Sequence, residues 1–171
     1  MIDSKRGQVE LSFGMIFSII LIVVFLIFAF YAIKTFFGIN DSAQVGAFIS
    51  DFQSDVDKIW RSAEGSQIGA YTLPKKVELV CFVDFDSDVD KSGKDMNLYP
   101  DLARVYHGND NMVLYPVDSS GVSSAEIKNI NLAEITKENN PFCIENSDRG
   151  LKINIVKDSN EALVRLETVG D

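Results

Sequence analysis

The sequence predicts an α+β protein: a long N-terminal transmembrane helix continuing into an amphipathic stalk helix, then a small, mostly antiparallel β-sheet head. Three observations carry this prediction. From Leu11 to Ile33 there are 23 consecutive residues without a charge. Beyond them, apolar residues recur in helical steps. From Leu73 onward the texture changes to short runs rich in Val, Ile and Phe, bounded by Pro, Gly, Asn and Asp. The 171 residues therefore divide into a short basic cytoplasmic leader at 1–10, a transmembrane helix at 11–33, an amphipathic helix at 40–64 and a β-rich exterior head at 73–171.

Composition bounds the function classes. Charged residues make up 24% and apolar residues 46%, so the chain has enough apolar surface to fold. Lys and Arg total 16 against 25 Asp and Glu, a formal charge of −9. A nucleic-acid binder needs a basic stripe to neutralise phosphates, so no nucleic-acid partner is expected.

In the run LSFGMIFSIILIVVFLIFAFYAI only Ser12, Gly14, Ser18 and Tyr31 interrupt the large apolar residues. As a helix it would be about 35 Å long, against a hydrocarbon core of about 30 Å. It is apolar on every side, which calls for lipid rather than for one packed face. A cleaved secretory signal would be shorter and would end at a small-x-small site, which this run lacks. Lys5 and Arg6 precede the run and Lys34 alone follows it before Asp41, so the positive-inside rule places the N-terminus in the cytoplasm and the rest outside a cell membrane crossed once. Gly14 and Ser18 form a small-xxx-small spacing that would let two such helices approach closely.

Just before the apolar run the chain reads Asp3-Ser4-Lys5-Arg6-Gly7-Gln8-Val9-Glu10-Leu11. A basic leader, a Gly, a Gln and then an acid at the membrane edge resemble the class III signal peptide of archaeal type IV pilin-like proteins. The resemblance covers about the first 35 residues. It implies a structural and interaction role in the archaeal cell envelope, with cleavage between Gly7 and Gln8 by a prepilin peptidase. It also implies partners that are other pilin-like subunits, met through the N-terminal helix. Family members usually carry the acid at the fifth mature position, where it pairs with a neighbour's new N-terminal amine; here Ser12 takes that position and Glu10 the third. Without the resemblance, Lys5 and Arg6 simply orient the helix and Glu10 lies among lipid headgroups. The alternative function is then an uncleaved single-pass protein whose exterior domain binds a ligand or Ca²⁺.

Past the membrane run, Asn40-Asp41-Ser42 offers cap-forming side chains, and the same triplet matches an N-glycosylation acceptor. Val45, Phe48, Ile49, Phe52, Val56, Ile59 and Trp60 then follow at spacings of an amphipathic helix, with Trp60 expected in the core. Residues 64–72 read as a linker. Val77 to Phe85 is a nine-residue strand candidate, Met112 to Val117 a second and Phe142 to Ile144 a short third. A final hairpin is expected from Leu151, Ile153 and Ile155, a turn at Lys157-Asp158-Ser159-Asn160, and Ala162, Val164 and Leu166. Residues 118–140 have no clear pattern.

Both cysteines, Cys81 and Cys143, fall on the side assigned to the exterior, where a disulfide can persist. Two buried free thiols are the alternative. The run Asp84-Phe85-Asp86-Ser87-Asp88-Val89-Asp90 places an acid at every second residue, so an extended chain would aim all four at one face. Ca²⁺ held by Asp84, Asp86, Asp88, Asp90 and Asp95 would relieve their repulsion; neutralisation by Lys91 and Lys94 in a solvated loop would do so too. No other cofactor is suggested. The single histidine, His107, sits in Tyr106-His107-Gly108-Asn109-Asp110, a turn composition, and the chain has no G-x-S-x-G elbow, P-loop or G-x-G-x-x-G. No enzymatic activity is expected.

Overall fold

The apolar run and the periodic stretch after it form one helix, α1 (Phe13–Trp60), in the computed structural model, which describes residues 13–86 and 93–169. The chain divides into two compact units, Met1–Phe37 and Gly38–Asp171. In the first, the described residues are helical and exposed. The second is the folded head.

The helix does not stop at Asn40-Asp41-Ser42, against the expectation of a cap there. Two of the triplet's polar side chains find other partners. The Ser42 hydroxyl donates to the Gly38 carbonyl one turn back (3.1 Å) and also approaches the Ser120 carbonyl (2.9 Å), while Asp41 pairs with Lys76 (2.5 Å). With those groups satisfied within the head, nothing calls for a break.

Among the described residues seven strands follow: β1 (Gly65–Tyr71), β2 (Leu79–Phe82), β3 (Met112–Tyr115), β4 (Ser124–Ala125), β5 (Phe142–Glu145), β6 (Leu151–Lys157) and β7 (Arg165–Thr168). They make two antiparallel sheets, a three-stranded one in the order β1-β6-β7 and a four-stranded one in the order β4-β3-β2-β5. Two short helices, α2 (Tyr99–Leu102) and α3 (Leu132–Ile135), lie in the connections. The Asn131 side chain caps α3 by accepting from the Glu134 amide at 3.2 Å.

The apolar stripe on α1 is the centre of the core. Val45, Phe48, Phe52, Val56 and Ile59 are buried there, packed in one cluster with Tyr71 of β1, Leu151, Ile153 and Ile155 of β6, Val80 and Phe82 of β2, and Met112 and Leu114 of β3. Alternate residues of the second sheet point the other way: Cys81, Val113 and Cys143 form a second cluster with Val83 and Leu102. Both faces of that sheet are covered, so its strands read as continuous apolar runs rather than as alternation.

Several expectations need correction. The strand expected over Val77–Phe85 shrinks to Leu79–Phe82, because Val77 closes a turn onto the Pro74 carbonyl (2.9 Å) and both backbone groups of Asp84 are taken by the Asn140 side chain. Residues 64–72 are not a linker: β1 pairs along its whole length with β6, from Gly65 opposite Lys157 to Tyr71 opposite Leu151. Trp60 is not core but 38% exposed, its indole Nε1 donating to the Ala162 carbonyl at 3.1 Å. In the final hairpin, Val164 and Leu166 are buried as expected, but the second strand starts only at Arg165 and Ala162 is exposed.

Candidate functional site: the apolar helix and the surfaces of the head

Within the described part of the first unit every large apolar side chain faces outward. Phe13 is 84% exposed and Phe30 76% exposed, and no residue from 13 to 37 is buried. α1 is the one described helix long and apolar enough to cross a membrane. Ser18 donates its hydroxyl to the Gly14 carbonyl at 2.8 Å, so the small pair leaves no polar group without a partner on that face. Gly7, Gln8 and Glu10 lie outside the described residues.

The head carries the two cysteines as a disulfide. Cys81 in β2 and Cys143 in β5 stand directly opposite one another in the antiparallel register, and the bond joins them there. Both are buried, so the disulfide closes the inside of the sheet rather than offering a thiol to solvent. The alternative of two free thiols is thereby set aside.

The acidic run begins where β2 ends. The Asp84 carboxylate accepts the backbone N–H of Asp86 at 3.1 Å, and Asn140, almost fully buried, clamps the Asp84 backbone from both sides. Asp88 and Asp90 lie outside the described residues, while Asp95 directly precedes a short 3₁₀ turn at Met96–Leu98. Among the described residues no group of three His, Cys, Asp or Glu side chains is arranged to hold a metal ion. Beside the run, Phe85 packs against Tyr106 (ring centroids 4.4 Å apart) and Tyr99 (5.8 Å). Burial, followed by the charges of Asp84 and Asp86, raises the Tyr99 phenol above its ordinary range. His107 lies in an exposed turn, where its Nδ1 donates to the Val105 carbonyl at 2.7 Å.

One surface had no counterpart among the sequence expectations. Gln67, Gly69 and Tyr71 of β1 face α1, whereas Ser66, Ile68 and Ala70 face solvent. Tyr71 donates its hydroxyl to Asp55 (2.7 Å), and Gln67 donates to the same carboxylate (2.9 Å) while accepting from Lys58 (2.7 Å). Gly69 is needed here: a Cβ at that position would run into the Tyr71 hydroxyl, which lies over it on the way to Asp55. Burial, the Asp55 hydrogen bond and the charges of Asp55 and Asp51 all push the Tyr71 phenol up. An open groove of about 320 Å³ runs alongside, lined by Gln44, Ala47 and Asp51 of α1 and by Ala70, Tyr71 and Thr72. The period-two alternation of Ser66, Ile68 and Ala70 with Gln67, Gly69 and Tyr71 was the available signal, masked by two glycines and a single β-branched residue.

No protein family, no curated protein and no solved structure matches this chain. What the residues themselves offer is a lipid-compatible helix followed by a disulfide-closed acidic head.

Proposed function

We propose that the chain is a membrane-anchored, pilin-like structural and interaction protein of the archaeal cell envelope. The observation that carries the reading is the exposed apolar helix directly following the Lys5-Arg6-Gly7-Gln8 leader. An apolar surface that wide has no place in water, and a lipid bilayer is the solvent that suits it. The stalk stripe from Val45 to Ile59 ties the anchor's continuation to the head. On this reading a prepilin peptidase cuts between Gly7 and Gln8 on the cytoplasmic side. Glu10 then becomes the third mature residue, and the helix stays attached as anchor and as the contact with other pilin-like subunits. The head lies outside, where the Cys81–Cys143 bond is stable to the redox environment.

Intact mass of the protein from native membranes, with and without reductant, tests this reading. Loss of residues 1–7 together with a gain of two hydrogens on reduction is the expected result. A full-length N-terminus would leave a simple anchored head and overturn the pilin-type reading. No gain on reduction would overturn the exterior placement.

A further inference from the structure

β1 is the edge of its sheet. It pairs with β6 on one side only, and among the described residues no other backbone group bonds to Gly65–Tyr71. Every second N–H and C=O along seven residues therefore points away from the sheet. Other edges are protected: β4 has two residues, β5 lies beside β6, and β7 beside α3. Exposed edges are usually blunted by lysine, proline or a bulge. β1 has none of these, holding no charge and no proline, and it displays Ile68 at 59% exposure, the most exposed large apolar side chain of the strands.

The surroundings of that edge specify what would pair with it. On the α1 side of the sheet, Asp55 is already engaged by Gln67 and Tyr71, and Lys58 sits on Gln67 at one end, so the exposed Asp51 is the charge that lines the groove along Ala70, Tyr71 and Thr72. On the other side stands Ile68 between Ser66 and Ala70. A strand alternates its side chains between the two faces, so a strand added to β1 would turn one set toward Asp51 and the other toward Ile68. From Gly38 onward the chain has 13 basic and 23 acidic residues, a formal charge of −10, so a second copy of the head would meet like charge.

We infer that the open edge of β1 is a docking site for an extended segment of a different, basic protein chain, alternating Lys or Arg on the α1 side with apolar residues on the Ile68 side. The inference deepens the reading of the head as an interaction module and uses head residues alone, so cleavage at Gly7 does not bear on it.

The test uses the full chain in phosphatidylcholine nanodiscs and a heptapeptide alternating lysine and valine as probe. Amide hydrogen exchange across residues 65–71 is the readout. The expected result is slowing of the outward β1 amides by about tenfold at saturation, with peptide binding weakened about fivefold by Asp51→Asn and further by Ile68→Lys. Two control peptides separate strand pairing from mere attraction to an acidic surface: one alternating glutamate and valine, and an N-methylated version of the probe with its charge unchanged. Equal protection by either control, or no protection of β1 by the probe, would overturn the inference. So would β1 amides that are already protected without peptide and become more so as more protein is loaded per nanodisc, because the occupant would then be a second copy. The mass measurement above is independent of all these outcomes.

Discussion

Replacing Phe52 with alanine removes the side chain on which the helix and both sheets of the head converge. Phe52 is fully buried, and its ring lies 5.8 Å from Phe48 of α1, 5.7 Å from Tyr71 of β1 and 5.8 Å from Phe82 of β2. Truncating a buried Phe costs about 3–5 kcal/mol, part from lost transfer energy and part from the cavity left behind. Three ring partners at once, each contributing about 0.5–1.5 kcal/mol beyond area, place this site toward the upper end. The neighbours sit on three elements held by their own hydrogen bonds, so collapse into the void is limited. A loss of about 4–5 kcal/mol is expected, a large part of the ~5–15 kcal/mol that holds a typical domain. Urea unfolding of the full chain in detergent, followed by near-ultraviolet circular dichroism, measures it, with Trp60→Ala as the reference. Trp60 is partly exposed and holds one hydrogen bond to Ala162, so its truncation should cost about 1–2 kcal/mol. If Phe52→Ala proved no worse than Trp60→Ala, the account of a core organised around the α1 stripe would be wrong.

Further outcomes follow from the same geometry. Replacing Cys81 and Cys143 together with alanine opens a loop whose ends are 62 residues apart, and should lower stability by up to about 4 kcal/mol in the same assay, with no further effect of reductant. Asn140→Ala strands the N–H and C=O of Asp84 and should cost about 2–3 kcal/mol, with faster amide exchange at Asp84 as its local signature. Tyr71 has a folded-state phenol raised above its unfolded value, so the stability linked to its proton is fully present below about pH 10 and is lost as pH rises beyond that. Tyr71→Phe should flatten this alkaline slope, which reaches at most about 1.4 kcal/mol per pH unit; an unchanged slope would show that another group carries it.

The sequence spoke most clearly where one physical effect dominates. Twenty-three uncharged residues admit few readings besides a lipid-facing helix, and the spacing of Val45, Phe48, Phe52, Val56 and Ile59 marks the face that α1 buries. β6 was legible because Leu151, Ile153 and Ile155 alternate cleanly; giving Cys81 and Cys143 one compartment allowed their pairing, and their facing positions in β2 and β5 decide it against two free thiols. β1 was hidden because Gly65, Gly69 and Ala70 have little strand preference of their own; seven partners in β6 impose the extended conformation from outside. Trp60 was misplaced because periodicity carried the stripe one residue beyond Ile59, to where the helix ends and the indole turns out toward Ala162. The acceptor geometry of Asn140 joins residues 56 positions apart, a relation no local pattern contains.

The way the head grips α1 also settles how it would bear a load. A pull applied to the chain at Gly38 enters a helix fastened near its start by Asp41 to Lys76 and by Ser42 to Ser120. Near its far end, Lys157 of β6 reaches the Trp60 and Ser62 carbonyls at 2.6 and 2.9 Å. Between those fasteners five buried side chains interlock with both sheets. Tension along the helix axis is therefore resisted by all of these contacts in parallel, as shear, rather than by one after another, as in unzipping. Under a pull at Gly38 the head would yield only when these contacts fail together.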